Sequence, residues 1–251
     1  MPKFNDFNMD NWRELSDIDV SSLWIIDKRD NSGKHEGFYH GNFVPQIPRH
    51  FIKRFTKTGD VVIDPFMGSG TTAFECETLD RNFIGVDIKQ EMCEYVQKKL
   101  DKPFQIVCGD SADNNTFSQI KNKAKLAILH PPYFDILKFS DNPNDLSNAK
   151  SIEDFRRMFS SVVKNCMNLL EKDRYLVVVI GDKYTNGQWY PLGFYCMQDC
   201  MNLGLILKSV IVKNMDGNRA KQGKNDIWRY RALTSDYYLF KHEYVLLFKK
   251  G

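Results

Sequence analysis

The stretch Asp64-Pro-Phe-Met-Gly-Ser-Gly-Thr-Thr72 constrains the fold more than any other part of this 251-residue chain. A turn and a short apolar run with β-branched residues, 58–63, precede it, and a segment of helical composition, 73–79, follows it. A second apolar run then ends in the acid Asp87. Strand, glycine-rich turn, helix and strand of this size predict one βαβ unit.

The turn itself has the composition of a ligand cradle. Gly68 and Gly70 let the backbone turn sharply and leave no Cβ in the way of a ligand. The next helix presents free N–H donors, and Thr71 and Thr72 can cap that helix or bond the ligand. A carboxylate at the end of the following strand, that of Asp87, suits the two hydroxyls of a ribose. No GxxxxGK[ST] motif is present, which disfavours an NTPase.

DPFMGSGTT, with VD at 86–87 and HPPY at 130–133, resembles the S-adenosylmethionine-dependent methyltransferases that modify exocyclic amino groups of bases. That family makes N6-methyladenine or N4-methylcytosine, mostly in DNA. The resemblance covers roughly residues 38 to 250. It implies an α/β, Rossmann-like class I methyltransferase fold, in which a seven-stranded, mostly parallel sheet carries helices on both faces. It also implies S-adenosylmethionine as the cofactor.

The resemblance extends to a set of cofactor-binding candidates. In the family, the segment before the glycine turn packs over the methionine end of the cofactor, although 42–45 also fits a plain connecting loop. An acid after the third strand bonds the adenine amino group, which implies Asp110, although a turn or cap role is open to the same residue. The full set comprises Asn42, Phe43, Pro45, Asp64, Pro65, Phe66, Gly68, Gly70, Thr71, Thr72, Asp87 and Asp110.

The HPPY motif follows a predicted strand, 125–129, and is expected at the carboxyl edge of the sheet. An exocyclic amine is a poor nucleophile because its lone pair is delocalised into the ring, and two acceptors aimed at its N–H groups counteract this. The resemblance implies His130 and the Pro131 carbonyl as acceptors, Pro132 as a stiff turn residue and Tyr133 as the stacking platform. Catalysis then depends mainly on positioning the methyl group and nitrogen at ~3 Å. In a duplex the target base must be flipped out.

His130 departs from the Asp, Asn or Ser that the family usually has at this place. A neutral imidazole has one acceptor nitrogen, and a protonated imidazole has none. His130 can therefore serve only as the neutral tautomer whose acceptor faces the amine. The alternative is a structural histidine that bonds the loop. Because the first residue of the motif is unusual, the motif leaves adenine and cytosine equally open as targets.

The stretch 213–236 interleaves basic and aromatic side chains, which suits phosphate contacts and base stacking. A solvated charged loop is the alternative. The net charge of +3 permits nucleic-acid binding without requiring it. The substrate-binding candidates are Arg219, Lys221, Lys224, Arg229 and Arg231.

The chain is expected to form one large domain. An N-terminal arm, 1–37, would pack on a methyltransferase domain, 38–251, whose segments 134–150 and 213–236 would face the substrate. The arm has a second possible role, contact with substrate or with a second subunit in a homodimer.

Six cysteines without a CxxC pair predict buried free thiols, no metal site and a reducing compartment, with the cytoplasm as the default. No apolar run approaches the ~20 residues of a membrane span, so no membrane partner is expected.

Three functions fit these features. The first is a site-specific DNA amino-methyltransferase, of the kind found in restriction-modification systems. The second is an RNA methyltransferase of the same chemistry, for example on cytidine N4, because single-stranded RNA bases need no flipping and the chain is compact. The third is an inactive nucleic-acid-binding module, which the intact cofactor motif disfavours.

Overall fold

The computed structural model describes residues 4–215 and 225–251, and these form a sheet covered by helices on both faces. The helices are α1 (Gln46–Phe55), α2 (Thr71–Thr78), α3 (Gln90–Lys99), α4 (Asn114–Ser118), α5 (Ile152–Leu169), α6 (Leu192–Asn202) and α7 (Asn225–Leu233). Two short 3-10 helices span Met9–Glu14 and Leu146–Asn148. The strands are β1 (Leu23–Trp24), β2 (Val61–Asp64), β3 (Asn82–Asp87), β4 (Gln105–Cys108), β5 (Ala124–Leu129), β6 (Leu170–Ile180), β7 (Lys183–Thr185), β8 (Gln188–Tyr190), β9 (Leu205–Asn214) and β10 (His242–Lys250).

The main sheet has the strand order β1-β9-β10-β6-β5-β2-β3-β4. Its pairs are parallel except around β10, which runs antiparallel to both β6 and β9. The mostly parallel α/β fold is therefore confirmed. β7 and β8 form a separate antiparallel hairpin.

The expected strand number, seven, is wrong by one, because the sheet has eight strands. The additional strand is β1, which belongs to the N-terminal arm and pairs parallel with the end of β9. Its backbone is held by a hydrogen bond from Val212 N–H to the Ser22 carbonyl, 2.8 Å long. Trp24 is buried beside α1, with its ring 4.6 Å from that of His50. An arm of mostly polar sequence thus adds an edge strand, and Trp24 is the buried residue of that strand.

Two apolar cores lie on the two faces of the sheet. One contains α5 and α6 with Phe155 and Phe159, and the other contains α1 with Phe51 and Ile52. The middle of β6, 177–179, is fully buried on both faces, as expected of a central strand. Five of the six cysteines are buried free thiols, but Cys108, at the end of β4, is exposed because its strand lies at the edge of the sheet.

The strand order reverses at β2, which has β3 on one side and β5 on the other. At such a switch point the loops after the strands diverge and leave a crevice at the carboxyl edge. The glycine turn follows β2, Asp87 ends β3, Asp110 follows β4 and HPPY follows β5. Both motifs therefore lie at the same edge of the sheet.

The segment 213–236 is more regular than the sequence analysis predicted. Lys213 and Asn214 belong to β9, where they pair with β10, and Asn225–Leu233 form α7. Residues 216–224 lie outside the described part of the chain. Within 134–150, the 3-10 helix Leu146–Asn148 begins at Asp145, whose side chain accepts a hydrogen bond from Ser147 N–H. In the described residues, no helix is long and apolar enough to cross a membrane.

Candidate active-site cleft

A cleft of about 960 Å³ opens at the carboxyl edge of β2, β3, β4 and β5. Its volume lies in the range of small-molecule sites. We divide it into a cofactor half, built from the glycine turn, Asn42, Asp87 and Asp110, and a target half, built from 130–133, Lys213 and Glu243. The predicted site residues that line the cleft are Asn42, Phe43, Pro65, Phe66, Gly68, Thr71, Asp87, Asp110, His130, Pro131, Pro132 and Tyr133.

Four predicted cofactor residues do not line the cleft, because their contacts lie within the protein. Thr72 Oγ1 donates to Asp64 Oδ2 at 2.6 Å, and Phe66 N–H donates to Asp64 Oδ1 at 2.9 Å. Burial raises the pKa of the Asp64 carboxyl from its usual 3.8 to about 7. Asp64 thus ties the turn to α2. Pro45 is buried at the N-cap of α1, and Gly70 is the N-cap of α2.

Both glycines of the turn are required by backbone conformation and by packing. Gly70 has φ 88°, and a Cβ there would lie 2.9 Å from Val96 Cγ2. Gly68 has φ 52°, and a Cβ would lie 3.2 Å from the Tyr39 ring. Both positions use the left-handed region that favours glycine. The packed turn holds the start of α2, with Thr71, against the cleft.

Asp87 is held in place by the turn that it faces. Its Oδ2 accepts from Gly68 N–H at 2.7 Å, and its Oδ1 accepts from Lys89 N–H at 2.9 Å. Burial is the main cause that raises the pKa of Asp87 above its usual value, while the two N–H donors oppose the rise. A carboxylate offers about four acceptor positions. After these two bonds, each oxygen can still accept from a ribose hydroxyl.

Asp110 and Asn42 present further polar groups to the cofactor half. Asp110 Oδ1 accepts from Ala112 N–H at 2.8 Å, and burial raises the pKa of this half-buried carboxyl. Asn42 Oδ1 accepts from Ser69 Oγ at 2.9 Å. The Asn42 Nδ2 amide is buried without a partner among the described residues. An unpaired donor in a cleft wall suits a negatively charged or carbonyl ligand group.

The HPPY turn bonds Glu243, and Glu243 pairs with Lys213; the sequence analysis selected neither as a site residue. Tyr133 Oη donates to Glu243 Oε2 at 2.7 Å, and Lys213 Nζ donates to Glu243 Oε1 at 2.9 Å. Lys213 and Glu243 face each other on β9 and β10 and are 6% and 5% exposed. The only sequence signal for them is a charge placed at the end of one apolar strand and the start of another.

His130 is in contact with Tyr133 and with Phe43. Its Nε2 lies 3.1 Å from Tyr133 Oη, and its ring meets the Phe43 ring edge-on at 4.9 Å. Burial lowers the pKa of His130 from its usual 6.5 to about 4. The imidazole is therefore neutral at physiological pH, as an acceptor role requires. Burial and the Glu243 carboxylate raise the pKa of Tyr133 well above its usual value.

Backbone strain and close packing fix the shape of this turn. Phe134 has φ 56°, which is costly for a large side chain, and it is buried against Phe155 at 5.9 Å. Lys183 Nζ lies 4.7 Å above the Phe134 ring. A Cβ on Gly181 would lie 2.8 Å from Tyr133 Cε2, so only glycine leaves room for the tyrosine ring.

The predicted phosphate-binding residues are only partly described. Arg219, Lys221 and Lys224 lie outside the described residues. Arg229 and Arg231 are exposed on α7, and the Arg231 guanidinium lies 5.2 Å from the Trp228 ring centre. Neither arginine lines the cleft.

Comparison with known proteins agrees with this geometry. The profile of a family described as DNA methylase, N6_N4_Mtase, matches residues 5–98 and 124–251. This chain belongs to that DNA methylase family.

Two curated relatives and one solved structure show the range of similarity. Type II methyltransferase M.MjaII of Methanocaldococcus jannaschii is 47% identical over 64 residues, 26% of this chain and 12% of that protein. Type II methyltransferase M.HpaI of Haemophilus parainfluenzae is 50% identical over 113 residues, 41% of this chain and 36% of that protein. The chain thus spans well under two thirds of these relatives' length. The crystal structure of TrmN from Thermus thermophilus matches with a TM-score of 0.57 at 13% identity, covering 84% of this chain and 50% of that one, which establishes the fold.

Proposed function

We propose that this chain is a site-specific DNA methyltransferase that transfers a methyl group from S-adenosylmethionine to the exocyclic amino group of a flipped base, adenine N6 or cytosine N4. The observation that carries the proposal is the single cleft that joins the glycine turn and Asp87 to the HPPY turn. A cofactor and an amine held in those two halves would meet at the switch point. The family membership and the Type II methyltransferases among the relatives support the same function.

The cofactor half offers a complementary group for each part of S-adenosylmethionine, which supplies a methyl group on a positively charged sulfur. Asp87 would accept from the ribose hydroxyls with the lone pairs that Gly68 and Lys89 leave available. Asp110 would accept from the adenine amino group. The buried Asn42 Nδ2 would donate to the carboxylate of the methionine end. The glycine turn and Thr71 leave room for the cofactor beside α2.

The target half would bind and activate the amine. His130 and the Pro131 carbonyl would each accept one N–H, which localises the nitrogen lone pair for attack on the methyl carbon. Tyr133 would stack on the base, and Pro132 with the strained Phe134 would keep the turn rigid. Most of the rate enhancement then comes from positioning rather than from proton transfer, since the low pKa of His130 makes it a weak base.

DNA is the partner that we propose, with base flipping to bring the target into the cleft. Arg219, Lys221, Lys224, Arg229 and Arg231 stay predicted phosphate contacts, which would make binding salt-dependent. The homodimer and the cytoplasmic location also stay predictions, and the molar mass in solution tests the first.

The direct test is transfer of tritiated methyl from S-adenosylmethionine to unmethylated duplex DNA and, separately, to RNA, followed by nucleoside analysis. We expect label in N6-methyladenine or N4-methylcytosine of DNA. Tyr133→Ala is the matched control, since it should bind cofactor and transfer little. Label in RNA alone would show that RNA, and not DNA, is the substrate. A wild-type protein that binds cofactor and labels neither polymer would disprove the proposal.

A further inference from the structure

His130, Tyr133, Glu243 and Lys213 form a chain of hydrogen bonds whose protons can be counted. Lys213 Nζ can only donate, so the Glu243 oxygen that faces it, at 2.9 Å, is an acceptor. The other Glu243 oxygen accepts the single hydroxyl proton of Tyr133 at 2.7 Å. Tyr133 Oη then has only lone pairs left for His130 Nε2, 3.1 Å away. His130 Nε2 must therefore carry a proton.

A neutral imidazole with a proton on Nε2 has its lone pair on Nδ1. Among the described residues, none donates a hydrogen bond to His130 Nδ1, and the ring packed closest to the imidazole is the apolar Phe43, at 4.9 Å. His130 also lines the cleft. The free acceptor of the imidazole is thus the nitrogen that the protein itself leaves unused.

We propose that Glu243 is a positioning residue that acts through Tyr133 to hold His130 in the Nε2–H tautomer, so that Nδ1 accepts an N–H of the target amine. This inference rests on the proposed function. It assigns a role in that function to a residue of β10 that lies 113 positions from His130. A carboxylate or an amide offers an acceptor oxygen without any choice of tautomer. A histidine in the same place needs a neighbour that makes the choice.

Burial makes this control effective. Glu243 and Lys213 are almost inaccessible to water. The two carboxylate oxygens are therefore bonded by Lys213 and Tyr133 rather than by solvent. The cross-strand register puts Glu243 opposite Lys213, so that one carboxylate oxygen accepts from the lysine and the other is left for Tyr133. Gly181 packs closely against the tyrosine ring, because any side chain there would collide with it. Lys213 therefore determines which group donates and which accepts in each hydrogen bond from Glu243 through Tyr133 to His130.

The variant Glu243→Gln should reverse that direction without changing shape. Because Lys213 can only donate, the glutamine must turn its oxygen to Lys213 and its NH₂ group to Tyr133. Tyr133 Oη would then accept from the glutamine and donate its proton to His130 Nε2. The Nδ1–H tautomer of the imidazole would then be favoured, and the acceptor that the amine needs would be lost. We expect kcat to fall by about 10²-fold or more, as when a catalytic histidine is held in the wrong tautomer, with cofactor affinity unchanged.

The tautomer itself is measured by ¹⁵N NMR of histidine-labelled protein, with the His130 signals identified by their loss in His130→Asn. The expected result is a protonated Nε2 in the wild type and a protonated Nδ1 in Glu243→Gln. Wild-type protein with the proton on Nδ1 would overturn the proposal without any variant, and this measurement does not depend on methyl transfer. If the wild type transfers no methyl group, the proposed function fails while the tautomer is still determined.

A double-mutant cycle separates this role from simple structural support. Tyr133→Phe removes the link between Glu243 and His130, so Glu243→Gln should have no further effect on kcat in that background. An equal loss in both backgrounds, or a loss of rate while His130 keeps its proton on Nε2, would assign Glu243 a structural role and overturn the proposal. If Glu243→Gln does not fold, the His130 signals of Tyr133→Phe alone test the proposal. Without the link to Glu243, His130 should populate both tautomers in that variant.

Discussion

The two halves of the cleft are held by contacts of different range. In the cofactor half, the hydrogen bonds that fix the site join residues close in sequence, such as Thr72 to Asp64 and Gly68 to Asp87. In the target half, Tyr133 depends on Glu243, and Glu243 depends on Lys213 across a strand pair near the end of the chain. Most of the first half belongs to one βαβ unit, to which Asn42 and Asp110 are added from before and after it, whereas the second half requires the sheet out to β10 and β9.

The difference also concerns which groups carry the charge. In and beside the cofactor half, burial raises the pKa of three carboxyls, those of Asp64, Asp87 and Asp110. The target half pairs its one carboxylate with a buried lysine and keeps its histidine neutral. The two proposed roles, binding of a positively charged cofactor and acceptance of N–H groups from a neutral base, thus fall on differently charged halves of one cleft.

Changes in the two halves should therefore separate chemistry from cofactor binding, and the largest effect is expected at His130. His130→Ala removes one acceptor from the target amine, so kcat should fall by about 10²-fold or more. Asp87, Asp110 and the glycine turn are untouched, and cofactor affinity should stay within about 2-fold. Single-turnover methyl transfer and equilibrium binding of S-adenosylhomocysteine measure the two quantities.

Asp87→Ala is the matched variant in the other half and should give the opposite pattern. Loss of the ribose partner should weaken cofactor binding by at least about 10-fold, equivalent to a hydrogen bond to a charged group. At saturating cofactor its kcat should remain closer to wild type than that of His130→Ala. Equal losses of kcat in both variants would mean that the two halves do not act separately.

A smaller effect is expected where the tyrosine ring needs space. Gly181→Ala places a Cβ 2.8 Å from Tyr133 Cε2, so the ring must shift against its bond to Glu243. We expect kcat to fall by about 10-fold, since sub-ångström displacement of a positioning group is costly. Cofactor affinity is the internal reference and should not change.

Gly187→Ala, in the β7–β8 hairpin, controls for the loss of a glycine. Its φ is 75°, but nothing lies within 4 Å of the added Cβ, so it introduces backbone strain without touching Tyr133. A kcat of Gly181→Ala no lower than that of Gly187→Ala would show that the close packing on Tyr133 is irrelevant to transfer.

The smallest expected effect is on the pH dependence of the free energy of unfolding, through Asp64 of the glycine-turn motif. The pKa of Asp64 is raised to about 7 in the folded protein, so the folded state binds the proton more tightly than the unfolded state. The contribution of Asp64 to stability is complete below pH 4 and is lost as the pH rises towards 7. Asp64→Asn cannot titrate, so the free energy of unfolding of the wild type relative to this variant should drop by about 1 kcal/mol from pH 6 to pH 7. Urea unfolding at both values measures it, and a constant difference would contradict a raised pKa.

Several features of the site were predictable because they depend on neighbouring residues. The run of β-branched residues before the glycine turn, the acid after the next strand and the apolar stretch before HPPY each define a strand end within a few residues. Parallel strands place such ends at one edge. The positions of Asp87, Asp110 and His130 at the cleft follow from that rule.

Other features could not be predicted, because side-chain direction in a turn depends on what packs against it. Asp64 and Thr72 belong to the same motif as Gly68, yet their side chains bond each other inside the protein. The eighth strand depends on Trp24 finding a place beside α1, which no periodicity in the polar arm indicates. The strand residues at the start of 213–236, Lys213 and Asn214, likewise owe their regular structure to pairing with β10 and not to local pattern.

The sequence by itself determined the family, the βαβ unit and the places of the glycine turn, Asp87 and Asp110 at one edge of the sheet, since a tight turn needs glycine and a strand end needs only its own residues. The tertiary structure alone decided how His130 is protonated. That depends on Glu243, which bonds Tyr133 and pairs with Lys213 only when β9 and β10 complete the sheet. Hydrogen-bond direction in a buried chain is a property of all its members, and these members are brought together by long-range strand pairing.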